Sequence, residues 1–148
     1  MKAIHWIIAA AAFAFVQQAR AAQTDPEVIV YRFPGVLDVG SVATSFHCTN
    51  FSGTLEIIRI VVRDNEATIK ANFSFALPHL WTATVSTRPT VLYGSASLNT
   101  DTVKGTAAIA ATSTNIICTA VTLEASSAVP NGFALHGIRF SPIPGSQE

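Results

Sequence analysis

Apolar and polar residues alternate with a period of two along most of this chain. In SVATSFHCTN (residues 41–50), Phe46 and Cys48 share one parity, while Ser45 and His47 share the other. Successive side chains of a β-strand point to opposite faces, so the pattern predicts a strand with one buried face. We expect His47 to face away from the core if Cys48 faces it. No amphipathic helical pattern follows residue 21, which indicates an all-β fold.

A β-hairpin is the clearest local prediction. Residues 54–64 are apolar at both parities, as in a central strand, and residues 68–76 alternate again after the polar stretch 64–66. Further strands are predicted at residues 41–50, 80–87, 90–98, 106–112, 115–125 and 133–140. The aromatic residues expected in the core are Phe46, Phe73, Phe75 and Phe140.

About eight short strands with turn signals between them are typical of an antiparallel β-sandwich or barrel. We expect the sandwich, as a single domain over residues 22–148 with a flexible tail from about residue 141. The early Cys48 and the late Cys118 suggest an immunoglobulin-like layout. Trp81 departs from that pattern, because the tryptophan of immunoglobulin domains lies on the strand after the first cysteine.

The first 21 residues have the pattern of a secretory signal peptide. Lys2 precedes an eleven-residue apolar run, residues 6–16, and Ala19-Arg20-Ala21 fits the small-x-small cleavage pattern. We place the cleavage after Ala21, with Ala22 as the alternative, and a buried N-terminal helix is the competing interpretation. The chain is therefore predicted to be secreted or periplasmic, with no transmembrane segment after cleavage.

The charge balance of the remaining chain excludes one class of partner. Removing Lys2 and Arg20 leaves seven basic residues against nine acidic ones, and no basic cluster occurs. Nucleic-acid binding leaves a basic patch in a sequence, so we do not expect a nucleic-acid partner.

Cys48 and Cys118 are the only cysteines. In an oxidising compartment they predict one structural disulfide, which closes a loop of about 70 residues and stabilises the fold by about 4 kcal/mol. A catalytic thiol and a metal-binding pair are the alternatives.

Motifs for catalysis and metal binding are weak. His47, His79 and His136 are too scattered to form a recognisable zinc motif, and no Gly-x-Ser-x-Gly sequence occurs. We therefore predict no catalytic, metal or cofactor-binding residue. A pair of carboxylates that includes Glu56 could still serve a small secreted hydrolase.

Loops are the expected place for recognition on such a scaffold. Trp81, Arg88 and Tyr93 form the predicted ligand surface, and Trp81 with Tyr93 could stack a sugar ring, although a buried tryptophan is the commoner case. The loop at residues 98–105 is a further candidate. Asn50 and Asn72 each begin an Asn-x-Ser glycosylation motif.

Three motifs carry a resemblance: HCTNFSG (residues 47–53), IICTA (residues 116–120) and ALHGIRFSPIPGSQE (residues 134–148). With these the chain resembles a loose set of small exported bacterial proteins with no assigned activity. The resemblance implies a bacterial, periplasmic or extracellular setting and transfers no catalytic residue.

Taken together, these patterns predict an exported, non-enzymatic β-sandwich that binds a protein or glycan at the cell envelope. A subunit of a surface polymer that uses its edge strands is a variant of this prediction. The carboxylate-dependent hydrolase is the alternative from another class.

Overall fold

The computed structural model describes residues 27–94, 96–101 and 103–140. The predicted signal peptide and the tail from residue 141 lie outside these residues. The described part of the chain holds no helix with the length and apolar character needed to cross a membrane.

The described residues form ten strands and no helix, which confirms the all-β prediction. The strands are β1 (Val28–Val39), β2 (Val42–Asn50), β3 (Glu56–Asp64), β4 (Ile69–Leu77), β5 (Thr82–Ser86), β6 (Ala96–Ser97), β7 (Val103–Ala111), β8 (Ile116–Glu124), β9 (Gly132–Leu135) and β10 (Ile138–Arg139).

All ten strands belong to one mixed sheet, and one path through it runs β4-β3-β7-β1-β2-β5-β6. Every pairing is antiparallel except the short one between β5 and β6. Two wings meet at the tight β1–β2 turn, where only Asp38↔Ala43 and Val39↔Val42 pair. One wing contains β4, β3, β7, β1 and β10, and the other contains β6, β5, β2, β8 and β9.

Strand β1 is the strand that the sequence pattern does not reveal. It has twelve residues and pairs with β7 along most of its length, so it is a central strand. Its register shifts between Ile29 and Tyr31 and again between Pro34 and Val36. Each bulge inserts a residue and reverses the parity of the residues after it, which hides the alternation. A proline inside a strand also argues against a central position, and here it lies at a bulge.

The core draws side chains from both wings into one cluster. Ile58 and Ile60 of β3 and Ile109 of β7 are at most 1% exposed. Phe33 of β1 contacts Phe46 of β2 edge-on, with ring centroids 5.8 Å apart. Each fully buried aliphatic or aromatic side chain contributes about 1.5–3 kcal/mol, so this cluster holds the curled sheet together.

Cys48 and Cys118 form the predicted disulfide. The two cysteines are direct register partners on the neighbouring strands β2 and β8, with their Cα atoms 4.2 Å apart. The bridge therefore joins adjacent strands within one wing. In immunoglobulin domains the bridge joins two different sheets.

Several predicted boundaries are wrong. Among the described residues of 90–98, only the two residues of β6 form a strand, because Gly94 adopts a φ of +54° and its N–H bonds the Thr90 carbonyl in a turn. The predicted loop at residues 98–105 is shorter, since β7 already begins at Val103.

The predicted last strand, residues 133–140, is two strands with different partners. β9 pairs with β8, and β10 pairs with β1. The chain passes over the ring of Phe33 at Gly137, where an added Cβ would overlap the ring carbons. Only glycine permits this close approach, so the strand is interrupted there.

The hairpin of β3 and β4 is confirmed, with a turn at residues 65–68. Phe46 is buried as predicted, but Phe73 is 37% exposed and Phe140 is 55% exposed. Phe73 lies on β4, which pairs only with β3 among the described strands, and Phe140 follows the short strand β10. Parity predicted the face of Phe73, but it could not show how completely that face is covered.

Candidate functional site

The predicted ligand surface does not form one site. Trp81 lies immediately before β5 and is 64% exposed, so the expectation of a buried tryptophan is wrong. Arg88 lies two residues beyond the other end of β5, and Tyr93 lies in the turn that follows. A five-residue strand spans about 17 Å, so Trp81 and Arg88 belong to opposite ends of the sheet.

Arg88 is engaged in a structural ion pair. Its Nε donates to a carboxylate oxygen of Asp38, which is only 1% exposed, and its Nη1 donates to the Gly40 carbonyl. The second oxygen of Asp38 accepts a hydrogen bond from Thr100 Oγ1 at 2.6 Å. Arg88 therefore fixes the β1–β2 turn and is not free to bind a ligand through these donors.

Buried threonines continue this network. Thr44 and Thr87 both bond the Leu37 carbonyl through their hydroxyl groups, and the Thr87 hydroxyl accepts from the Thr44 N–H. We call Asp38, Thr44, Thr87, Arg88 and Thr100 the polar end. Buried polar groups are costly unless they are hydrogen-bonded, and here each side chain has a partner.

Two open depressions lie near the polar end. One, of about 320 Å³, is lined by Asp38, Arg88, Asn99 and Asp101. Another, of about 570 Å³, is lined by residues around the start of β2 and β9, including Phe133. In the smaller depression, Arg88 already neutralises the buried carboxylate of Asp38, so neither charge of this pair needs a ligand.

Trp81 belongs to a group of exposed apolar residues at the opposite end of the sheet. We call Phe51, Leu55, Leu80 and Trp81 the apolar tip; they are 49%, 62%, 64% and 64% exposed. They lie on the β2–β3 turn and the β4–β5 turn. Large exposed apolar patches on a protein surface often mark interaction sites.

Hydrogen bonds tie the two turns of the apolar tip together. The Asn50 N–H donates to the Trp81 carbonyl at 3.1 Å, and the Leu80 N–H donates to the Asn50 carbonyl at 2.7 Å. The buried Asn50 amide group also donates to the carbonyls of Thr54 and Leu77, each at 2.7 Å. Across the turns, the Gly53 N–H donates to His79 Nδ1 at 3.0 Å. These hydrogen bonds fix the backbone of both turns of the apolar tip.

Leu80 carries a signal that the sequence does not show. Its φ is +62°, in the left-handed region that a bulky non-glycine residue rarely adopts. Its side chain is mostly exposed, so packing against the rest of the chain does not offset the free-energy cost of this backbone conformation. Residues held in such conformations cluster at functional sites.

Tyr93 and His47 form a separate pair on the outer face of β2. Their rings meet edge-on with centroids 4.5 Å apart, and His47 Nδ1 is 3.0 Å from Thr84 Oγ1. Partial burial lowers the pKa of His47 below its usual 6.5, because burial disfavours the charged imidazolium. His47 faces away from Phe46 and Cys48, as predicted.

Two further acidic residues, Glu56 and Asp64, have structural partners. Glu56 is buried and accepts hydrogen bonds from the hydroxyl groups of Thr54 and Thr112. The Asp64 carboxylate accepts from the N–H groups of Glu66 and Thr68 in the β3–β4 turn. Its Oδ2 lies 3.7 Å from Lys70 Nζ. In residues 27–94, 96–101 and 103–140, no three His, Cys, Asp or Glu side chains are grouped to hold a metal ion.

Arg139, in the third of the motifs, has a structural role. Its guanidinium donates to the Tyr31 hydroxyl and to the carbonyls of Thr114 and Ile116, and it lies over the Tyr31 ring. It thereby joins β10 to β1 and to the start of β8.

In comparisons with family models, curated proteins and solved structures, none matches this chain.

Proposed function

We propose that the chain is an exported, non-enzymatic binding module that holds a partner at the apolar tip. The supporting observation is the conformation of Leu80, which is exposed and adopts a positive φ within a hydrogen-bonded turn framework. Glycine would meet the backbone requirement at lower cost. A leucine side chain at this position is best explained by a contact outside the chain.

The chemistry of the apolar tip favours a protein partner. Two leucines and a phenylalanine accompany Trp81, and the buried core of a protein–protein interface is more apolar than the rest of the surface. Aromatic residues are also frequent among the side chains that dominate protein–protein affinity. A glycan at the cell envelope is the alternative occupant.

Export and the bacterial setting are part of the same proposal. The disulfide is of the kind that persists in oxidising compartments. The signal-peptide pattern of residues 1–21 and the resemblance to small exported bacterial proteins support the same location.

The sandwich arrangement and its immunoglobulin-like layout are also proposals. One apolar cluster with members in both wings supports two facing layers. The bridge between adjacent strands counts against the immunoglobulin-like layout, in which the disulfide joins two sheets.

The hydrolase alternative has no specific observation in its favour. Glu56, the residue on which it most depends, uses its two carboxylate oxygens to bond threonine hydroxyl groups.

A site-specific crosslinking experiment tests the binding proposal. A photo-crosslinking amino acid replaces Leu80 in one variant and Val129 in another. Val129 is 90% exposed and lies in the β8–β9 connection, away from the tip. We expect a specific protein adduct from position 80 and none from position 129.

The partner identified in this way is then titrated against wild type, Leu80→Ser, Trp81→Ala and Val129→Ser. Truncation of one of the few residues that dominate an interface costs about 2 kcal/mol or more, so both tip variants should bind at least about tenfold more weakly. The Val129 variant should bind within about twofold of wild type. Equal losses in all three variants, or binding of a glycan in place of a protein, would overturn the proposed site or partner.

A further inference from the structure

Strand β4 presents a long free edge. It has nine residues and pairs only with β3 in the part of the chain that the structure describes. The other strands with a single partner there have two to four residues. A free edge offers unpaired N–H and C=O groups to another strand.

The pairing of β3 shows which groups of β4 point outward. The Ile57 carbonyl accepts from the N–H of Thr112, the residue that follows β7 in sequence, so it points toward β7. The Asp64 N–H donates to the carbonyl of Thr68, the residue that precedes β4, so it points toward β4. Since the direction alternates along a strand, Ile58 and Ile60 bond toward β4. Their register partners on β4 are Phe75 and Phe73, which therefore bond inward.

The intervening residues of β4 therefore direct their main-chain groups away from β3. These residues are Asn72, Ser74 and Ala76. All three are exposed, and the register shift of the hairpin, between Val62 and Arg63, lies outside this segment. They form a regular edge that can accept a new strand.

The devices that usually protect an edge are sparse on β4. The strand contains no proline, and its only charged residue is Lys70, near its N-terminal end. Its core-side aromatic residues are incompletely covered: Phe73 is 37% exposed, and its ring centroid lies 5.7 Å from that of Phe75. A strand added here would gain both hydrogen bonds and apolar contact.

The sequence of β4 is complementary to itself. In an antiparallel pair of two copies with a two-fold axis at Phe73, each residue faces the one equally far on the other side of residue 73. Ala71 then meets Phe75 of the second copy, so a small side chain lies opposite a large one. Phe73 meets its own copy in a non-hydrogen-bonded pair, in which side chains approach most closely.

The polar face matches in the same register. Asn72 meets Ser74 of the second copy, and these are the residues whose main-chain groups point outward. Lys70 meets Ala76, so no like charges oppose each other. Such an interface is isologous and closes as a dimer.

We propose that β4 is a self-association edge at which two copies of the chain pair antiparallel about Phe73, joining their sheets. This surface is distinct from the apolar tip and does not depend on the proposed partner there.

The matched variants Asn72→Glu/Ser74→Glu and Asn72→Lys/Ser74→Glu test both the edge and its register. Both place a glutamate at position 74 beside Arg59 of the same chain, the register partner of that position on β3. In the proposed dimer the first variant sets Glu opposite Glu at two positions, and the second sets Lys opposite Glu. Opposed like charges destabilise a cross-strand pair and opposite charges stabilise it.

Sedimentation equilibrium over a wide concentration range measures the dimer dissociation constant of each chain. We expect wild type to dimerise, and we expect the Glu/Glu variant to bind itself at least about tenfold more weakly than the Lys/Glu variant. The monomers of both variants should keep wild-type circular dichroism. A wild-type chain that stays monomeric at millimolar concentration overturns the proposal, as do equal dissociation constants for the two variants.

Hydrogen exchange at low and high concentration locates the interface directly. The amides of Asn72, Ser74 and Ala76 should exchange more slowly as concentration rises, while the amides of Phe73 and Phe75 should change little. Protection confined to another strand would overturn the proposed edge.

Discussion

The two ends of strand β2 handle polar and apolar groups in opposite ways. At the polar end, Asp38 is almost fully buried, and Arg88 and Thr100 satisfy its carboxylate. At the apolar tip, Leu80 and Trp81 are mostly exposed although the turns beneath them are hydrogen-bonded. The first end uses its side chains to stabilise the fold, and the second holds side chains that contribute little to it.

This contrast explains why Arg88 and Trp81, both predicted as ligand-binding residues, differ in role. The charge of Arg88 is neutralised within the chain, whereas the indole of Trp81 is exposed. Exposed side chains on a backbone that is fixed by hydrogen bonds are suited to binding a partner, because little backbone conformational entropy is lost on binding.

The largest expected effect concerns the disulfide between the two ends. Cys48→Ala/Cys118→Ala opens a loop of 70 residues and should lower the free energy of unfolding by about 4 kcal/mol. Urea titration followed by circular dichroism measures the loss. If the double variant is as stable as the oxidised wild type, the bridge does not contribute to the stability of the fold.

The next effect tests the polar end. Asp38→Ala removes the carboxylate that accepts from Arg88 Nε and Thr100 Oγ1 and should lower stability by about 3 kcal/mol, since removing one partner of a buried ion pair leaves the other without its counter-charge. The partial exposure of Arg88 places the loss at the lower end of the usual range. Thermal and urea unfolding provide the measurement.

Asp38→Asn is the matched control for this variant, because it keeps the shape and one acceptor oxygen. Its loss should be smaller than that of Asp38→Ala. Equal stability of wild type and Asp38→Ala would remove the distinction between the two ends.

A change of opposite sign is expected at the apolar tip. Leu80→Gly relieves a positive φ that costs about 1–2 kcal/mol, and the greater flexibility of unfolded glycine offsets about 0.5–1 kcal/mol of that gain. We expect a net stabilisation of about 0.5 kcal/mol, measured as a higher urea midpoint with an unchanged slope.

Leu55→Gly is the control at the same tip. Leu55 is 62% exposed, similar to Leu80, but its φ is not positive. Glycine there should destabilise by about 0.5–1 kcal/mol. If both variants destabilise the fold equally, the positive φ of Leu80 does not lower the stability of the wild-type chain.

The smallest effect concerns His47, between the two ends on the outer face of β2. Its lowered pKa means that the unfolded chain binds more protons below about pH 6.5 than the folded chain does. Stability from this group is present above pH 6.5 and is lost as the pH falls. His47→Gln should therefore reduce the drop in the urea midpoint between pH 7.5 and pH 5.5.

The measurement compares wild type with His47→Gln over the same pH range, because the substitution removes only this imidazole. A drop in midpoint that is the same for wild type and His47→Gln would show that burial of this imidazole does not affect stability.

Local alternation was enough to predict much of the fold. The parity of residues 41–50 predicted that Cys48 faces inward and His47 outward, and the two cysteines predicted the bridge. The hairpin of β3 and β4 followed from two alternating runs around a polar turn. These features depend on neighbours in sequence, and the two faces of a strand are set by its geometry.

The candidate site was predictable only in part. Trp81 was identified as a possible ligand residue, but its exposure, the φ of Leu80 and the pairing of its turn with the β2–β3 turn were not. Phe51 and Leu55 were missed, because no local pattern shows that an apolar residue in a turn stays uncovered.

By itself, the sequence determined the class of structure and the disulfide, because alternation and cysteine pairing act through the chain's own strands. Tertiary structure decided that β1 is central despite its bulges, that Arg88 pairs with Asp38 fifty residues away, and that β4 lies at an edge of the sheet formed by the described residues. These outcomes depend on which strands become neighbours. That choice rests on contacts between distant segments, which period and composition do not encode.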